Sequence, residues 1–402
     1  MSNSIINFFE KKREWSITKD KILGRYLRPY FQKLIAFNKP ICYVDCFSGK
    51  GIFDDGQLGS PLIALQCIFE SINHARRELV PINTYFIELN YYVELEKNVS
   101  AFFENNSCNC VTYKVLPGKF EDNIDKLLEN HFGDTIFLYI DPYGIKAIDV
   151  EKFNSFKTSY NKSVELLINF NTWGFFREAC RVLKKDFKMN ASMKEYLIEY
   201  DPDNKLNRDE LSKIAGSDFW IEIVQNYKNN IISSTEAESL LARGIEANFK
   251  KKYKYVLNVP VMSSDNAVIP KYRLFYLTNH EQGYIIMSET MFKGIQEALV
   301  ENRNGQLSLF EIDNKGDLCF NEKITTAILN ELTFDDERID PFLCRIISKY
   351  GLIAPPSKIR EVIRQLEINN CLVVERFPKY TYTGKLSVAM TEKNSKIYVK
   401  RK

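Results

Sequence analysis

Two short stretches of this chain place acids and glycines where chemistry could use them. The first is Asp45-x-Phe47-x-Gly49-x-Gly51, directly after the apolar run Ile41–Val44. Glycines there let backbone N–H groups approach a ligand, and the acid suits an ammonium or a hydroxyl better than a pyrophosphate, which it would repel. No GxxxxGK[ST] sequence occurs, so Gly49-Lys50-Gly51 is not a triphosphate loop. A second run, Asn83–Ile87, ends at Glu88, an acid at the place where open α/β sheets hold ribose hydroxyls. The other stretch, Asp141-Pro142-Tyr143-Gly144, follows Thr135–Ile140 and falls at the carboxyl end of a strand, the usual position of active-site groups in such a sheet. Asp45 and Asp141 are then expected to face one crevice, cofactor on one side and acceptor on the other. The structural alternatives are a plain tight turn at Gly49–Gly51 and a Pro-Gly turn capped by Asp141.

These residues need strands to carry them. Apolar runs at 41–46, 83–88, 111–115, 135–140 and 164–170 alternate with helical periodicity at 18–37, after Ser60-Pro61, at 91–103 and at 120–130. Ser60 is the expected N-cap and Pro61 the first helical residue. Strands apolar throughout, separated by helices, imply a parallel sheet covered on both faces. A mainly helical insertion is expected over about 172–252, then strands at 253–259 and 272–278 joined by a Ser-Ser-Asp-Asn loop. The remaining periodicity predicts helices at 322–331, 340–349 and 357–369 and two extended stretches, 371–377 and 397–401.

Taken together, the motifs resemble the class I S-adenosylmethionine methyltransferases that act on exocyclic amines of nucleic acids. The longer string is similar to the three-Cys-motif partner (TcmP) family: Asp45–Gly51, Gly59-Ser60-Pro61-Leu62-Ile63-Ala64-Leu65, Asp141–Gly144, Asn169-Phe170, and Tyr272–Thr278 followed by His280, Gly283 and Met287. The resemblance implies an α/β fold with a Rossmann-like, seven-stranded, mostly parallel sheet over residues 1–300. A linker at 301–320 and a winged helix-turn-helix domain at 321–402 would follow. It implies S-adenosylmethionine as cofactor, with Asp45, Phe47, Gly49 and Gly51 at its methionine part, Glu88 on the ribose, and Gly118 and Phe120 near the adenine. Lys21 is a candidate for the methionine carboxylate, and Trp173 and Arg177 for the acceptor pocket; the alternatives are a solvated helix lysine and a core tryptophan. Asp141, Pro142 and Tyr143 would handle a base amine such as adenine N6. Asp141 and the Pro142 carbonyl would accept its N–H bonds, and Tyr143 would stack on a base flipped out of any duplex. Two departures stand out: Gly118-Lys119-Phe120 where many relatives carry an acid, and Tyr143-Gly144 where the amino-methyltransferases have Pro-Tyr.

Charge and composition bound the rest. The chain has 402 residues, three histidines and nine cysteines, and no CxxC pair. A Ser-His-Asp triad and a metal site are therefore not expected, and the cysteines read as reduced thiols. No stretch approaches a membrane span and Met1–Lys12 lacks a signal-peptide core, so the expected address is the cytoplasm. Eleven basic against four acidic residues give 351–402 a charge of +7, leaving −4 for the rest of a chain whose net charge is +3. A basic tail on an acidic body suggests a polyanion partner. Lys358, Arg360 and Arg364 would lie on a recognition helix capped by Ser357, and Lys379 and Lys385 on the wing, to contact DNA or RNA. The resemblance adds a three-Cys-motif partner protein, and the rival reading is a non-catalytic adaptor that keeps the fold to bind nucleic acid and that partner.

Overall fold

The apolar runs pair into one sheet, and the residues that alternate along them build two different cores. The computed structural model describes residues 9–10, 12, 14–76, 79–156, 163–184, 205–262, 269–302, 314–392 and 395–402. The first of its two units, residues 1–279, holds β1 (Ile41–Asp45), β2 (Ile82–Glu88), β3 (Val111–Pro117), β4 (Thr135–Ile140), β5 (Ser163–Phe170), β6 (Tyr255–Val261) and β7 (Tyr272–Thr278). They form a seven-stranded sheet in the order β3-β2-β1-β4-β5-β7-β6. Every neighbouring pair from β3 to β5 is parallel, and β7 alone runs against both of its neighbours. The Ser-Ser-Asp-Asn loop expected between β6 and β7 lies outside the described residues.

Successive side chains of a strand point to opposite faces. From β1, Cys42 and Val44 enter a core with Phe120, Ile124, Trp173, Trp220 and Phe249. Tyr43 points the other way, its ring 6.0 Å from Phe137 and nearly parallel to it. That face is covered by α1 (Glu14–Ala36), whose Tyr26 stacks on Phe137 at 5.6 Å. The same face carries α2 (Ser60–Asn73) and α3 (Tyr92–Asn105); α4 (Phe120–Asn130), α5 (Val150–Ser155) and α6 (Thr172–Val182) belong to the opposite core. Buried at every position, β1 and β4 are as expected, whereas β3 alternates buried and open because it is the sheet edge. The N-cap of α2 is Gly59 rather than Ser60, with no side-chain cap.

The expected helical insertion supplies α6, α7 (Arg208–Ala215), α8 (Trp220–Lys228) and α9 (Ser234–Lys250), and its residues 185–204 lie outside the described residues. Asn207 with Glu210, and Ser233 with Glu236, form capping boxes that satisfy the first amides of α7 and α9. Gly216 ends α7 at φ +80°, and a Cβ there would lie 2.7 Å from Val150 Cγ1 on α5.

The second unit, residues 280–402, begins earlier than the expected boundary near 300. The reason is α10 (Glu281–Asn302), which packs on α12 (Ile339–Tyr350) and α13 (Pro356–Ile368) of that unit. Helix α11 (Asn314–Glu331) starts inside the stretch expected as linker, of which 303–313 lies outside the described residues. The strands β8 (Glu337–Arg338), β9 (Leu372–Phe377) and β10 (Lys396–Arg401) form an antiparallel sheet in the order β8-β10-β9. Ser357 does not cap α13: Glu289 of α10 accepts from its N–H at 2.8 Å and its hydroxyl at 2.6 Å.

Gly216→Ala is expected to lower stability by about 2 kcal/mol, since alanine is strained at positive φ and its methyl meets Val150. Thermal unfolding of the variant is the measurement, and an unchanged or higher midpoint would refute the packing of α7 on α5.

Candidate functional site

In a parallel sheet all carboxyl ends lie on one edge, and the crevice opens where the chain reverses direction along the sheet, here between β1 and β4. A cavity of about 800 Å³ lies at that edge, lined by the loops that follow β1, β2, β3 and β4. The described part of the first loop is tightly tied. Phe47 N–H donates to Asp45 Oδ1 at 3.2 Å, Ser48 N–H to the Ile87 carbonyl at 3.0 Å, and Asn98 Nδ2 to the Lys50 carbonyl at 2.8 Å. Gly49 and Gly51 take φ of +60° and +80°. A Cβ on either would come within 3.0 Å of a neighbour, the Phe9 ring for Gly49 and Leu95 Cδ1 for Gly51.

Glu88 holds this loop to the next two. Its Oε2 accepts the Gly49 N–H at 2.7 Å, and its Oε1 accepts those of Asn90 at 2.9 Å and Tyr91 at 3.2 Å. Its own carbonyl accepts the Gly118 N–H at 3.1 Å, where Gly118 has φ +112°. A carboxylate offers about four lone-pair sites, so three amides leave room for one more donor. Phe47 lines the cavity 5.6 Å from the buried Phe120 ring. Glu121 and Asp122 open α4 and also line it, which supplies acids directly after Gly118-Lys119-Phe120.

Asp45 is fully buried and not itself a wall of the cavity. Burial drives its carboxyl from the ordinary 3.8 up to about 7; the Ser60 hydroxyl and Phe47 N–H pull it partway back, and the charges of Asp141 and Asp20 push it up again. It therefore braces the loop, its carbonyl accepting from Ser48 Oγ at 3.0 Å.

Across the cavity, Asp141 is engaged on all sides. Oδ1 accepts from Lys19 Nζ at 2.9 Å and Asn169 Nδ2 at 2.6 Å; Oδ2 accepts from Lys19 Nζ at 2.7 Å and the Tyr139 hydroxyl at 3.3 Å. Burial, and then the charge of Asp141, hold the Tyr139 phenol well above its usual range, so it remains a donor. Pro142 is buried and lines the cavity; Tyr143 is half exposed at it, and Gly144 at φ +87° turns the chain.

Lys21 does not line the cavity; Lys19, Asp20 and Ser16 do. Two residues rotate a helix by about 200°, so Lys19 and Lys21 face opposite ways. The signal was present: continuing the apolar stripe Leu23, Tyr26, Tyr30 backward at helical spacing reaches Lys19, Asp20 and Ser16. Asp20 is partly buried and paired with Lys12 at 2.5 Å; desolvation raises its carboxyl and Lys12 lowers it. Trp173 is core, against Phe176, and neither it nor Arg177 lines the cavity. The insertion contributes Leu206, Glu210, Lys213 and Ile214, residues no motif marked.

In the second unit Arg360 is not available to a ligand, since it lies against the fully buried Asp340 at 3.0 Å. Lys358 pairs with Glu361 at 3.1 Å. Arg364, Lys379 and Lys385 are exposed, beside the exposed Tyr380 and Tyr382 of the β9–β10 connection. Among the described residues no three His, Cys, Asp or Glu side chains gather as a metal site, and no helix is long and apolar enough to cross a membrane. No protein-family model and no curated protein matches the chain, so the site is read from its own geometry.

Asp45 yields a pH signature. The unfolded chain releases this proton near 3.8 and the folded chain keeps it to about 7. Stability is thus lost progressively as pH rises between those values, by roughly 4 kcal/mol at most, and levels off above them. Asp45→Asn should flatten that slope, so its melting temperature gains on wild type more at pH 8 than at pH 5. Parallel curves for the two proteins would show that Asp45 is not the buried acid described.

Proposed function

We propose that the protein is an S-adenosylmethionine-dependent methyltransferase acting on nucleic acid, of the three-Cys-motif partner kind, and that it works in the cytoplasm. The observation that carries the reading is the joined cradle: two left-handed glycines where a Cβ would crowd a neighbour at 3.0 Å, and Glu88 bound to their loop, in one cavity with Asp141. The mostly parallel sheet with one reversed strand agrees with the resemblance in the sequence.

The residues present suit the cofactor. Glu88 retains an acceptor position for a ribose hydroxyl, Phe47 and Phe120 offer flat apolar surface, and Asp20, a wall of the cavity, is a carboxyl that an ammonium could approach. When bound, S-adenosylmethionine supplies an electrophilic methyl group on a sulfonium. Most of the rate enhancement would come from holding the two reactants in line. The volume, about 800 Å³, lies within the range of small-molecule sites.

The second unit supports the nucleic-acid part. Helices α11, α12 and α13, a short strand between the first two, and a hairpin after the third follow the order expected of a winged helix. Arg364, Lys379 and Lys385 are among its exposed cations, and the wing tyrosines are surfaces for bases. A three-Cys-motif partner protein belongs to the same proposal.

Isothermal titration tests the cofactor. Wild type should bind S-adenosylmethionine, and Gly51→Val should lose at least about tenfold in affinity, since valine is strained at φ +80° and crowds Leu95. Absence of binding by folded wild type would remove the proposal.

For the second unit, replacing Arg364, Lys379 and Lys385 together by Glu should weaken polynucleotide binding. Each lost phosphate contact lowers the salt slope by about 0.9 on duplex DNA, so about 2.7 for three. An unchanged slope in a fluorescence-anisotropy salt series would turn the second unit into a protein-docking module.

A further inference from the structure

Resting on the methyltransferase reading, we propose that the Lys19–Asp141 pair directs methyl transfer to a hydroxyl, the ribose 2′-hydroxyl of RNA, rather than to a base amine. An exocyclic amine attacks poorly unless two acceptors take its N–H bonds. Asp141 can give at most one, by releasing the long bond from Tyr139. Its four lone-pair directions are met by two bonds from Lys19 (2.7 and 2.9 Å), one from Asn169 (2.6 Å) and one from Tyr139 (3.3 Å).

Charge points the same way. As an amine takes a methyl group, positive charge arrives on nitrogen, and a carboxylate could stabilise it. Here the Lys19 ammonium lies within 3 Å of both carboxylate oxygens and cancels that attraction. Lys19 is itself a wall of the cavity, with its side chain 6% exposed and its Nζ 5.0 Å from the Tyr272 ring. An ammonium fixed at the reaction end repels a cation forming on nitrogen and steadies an oxygen that is losing its proton. A lysine has three donors, of which Asp141 takes two.

The transfer balances with these groups. The hydroxyl oxygen forms the new bond to the methyl carbon, the carbon–sulfur bond of the sulfonium breaks, and its electron pair stays on sulfur. The hydroxyl proton passes to Asp141 Oδ2, taking the direction held by the long Tyr139 bond. An oxygen bearing both methyl and proton is a far stronger acid than a carboxylic acid, so a carboxylate in an ion pair suffices as base. Within a polynucleotide, an internal free hydroxyl exists only as the ribose 2′-OH, and so only in RNA. Tyr143, half exposed at the same cavity, gives the neighbouring base a surface to stack on.

The experiment incubates the full chain with methyl-labelled S-adenosylmethionine and pooled cellular RNA and DNA, digests the products to nucleosides, and identifies them by mass spectrometry. Label is expected in 2′-O-methylnucleosides from RNA. Lys19→Met should lose about 10²-fold in transfer rate while titration shows cofactor affinity within about threefold of wild type. A base-methylated nucleoside as the product overturns the inference and leaves the methyltransferase reading standing. Cofactor binding with no O-methyl product from RNA also overturns it, as does wild-type transfer by Lys19→Met. Failure of wild type to bind the cofactor removes the reading beneath. The identity of the wild-type product decides the question even if Lys19→Met does not fold.

Discussion

Three backbone amides from two loops converge on one carboxylate, and the geometry of the cavity follows from that. Glu88 takes the N–H of Gly49 across from its own loop and those of Asn90 and Tyr91 within it, while its carbonyl holds Gly118 of a third. Hydrogen bonds to a charged group contribute more than neutral ones, about 1.5–3 kcal/mol each. A loop carrying two left-handed glycines would otherwise have many accessible conformations. The bonds to Glu88, with the Asn98 bond to the Lys50 carbonyl, leave it one. The strand that presents Glu88 is parallel to β1 and in register with it, Asp45 opposite Phe86. The loops therefore start from fixed points before any side chain closes them.

Electrostatics at this edge of the sheet is arranged around acids that the apolar core beneath makes expensive. The charges of Asp141 and Asp20 push up the carboxyl of Asp45, Asp141 does the same to Asp20, and of the three Asp20 and Asp141 have lysine partners close at hand. Asp45 is instead held by a hydroxyl and an amide and keeps its proton to about pH 7. One acid is thus poised between charge states while its two neighbours each have a lysine within hydrogen-bond distance. Such an arrangement is costly to stability and is found where charge is to be met by a ligand.

What was legible in the sequence and what was not have different physical origins. Strands buried on both faces must be apolar throughout, so β1 and β4 were readable, and an acid or glycine directly after them had to lie at the carboxyl edge. The edge strand β3 alternates because one of its faces meets water, which a run of five residues does not reveal. The periodicity marks a helix only from 18, whereas it begins at Glu14, so the stripe that brings Lys19 rather than Lys21 to the cavity is cut short in the sequence. Arg360 lies on the face of α13 that meets Asp340 of α12, and a basic residue on a helix does not announce a buried carboxylate twenty positions away. The expected cap at Ser357 failed for a related reason: the carboxylate that satisfies the first turn comes from Glu289, on another helix. Caps and ion pairs made across elements leave no local trace.

The Lys19–Asp141 pair is the feature least accounted for by folding. Taking both charges out of water costs several kcal/mol per ion, and replacing a buried pair by apolar residues of similar volume is often neutral or stabilising. Here the lysine is nearly enclosed and the carboxylate about one-quarter open, so the pair sits between bulk water and the core. Its partners Asn169 and Tyr139 come from β5 and β4, rigid strands that hold the carboxylate with little freedom. A charge pair of small net worth to stability, fixed by strands and opening on a cavity, has its effect on whatever enters that cavity. It favours a group that needs one donor and one acceptor at a single atom, and it disfavours one that arrives at positive charge. On the methyltransferase reading proposed above, selection of that kind would act on the transition state, where an ion pair already in place needs no reorganisation.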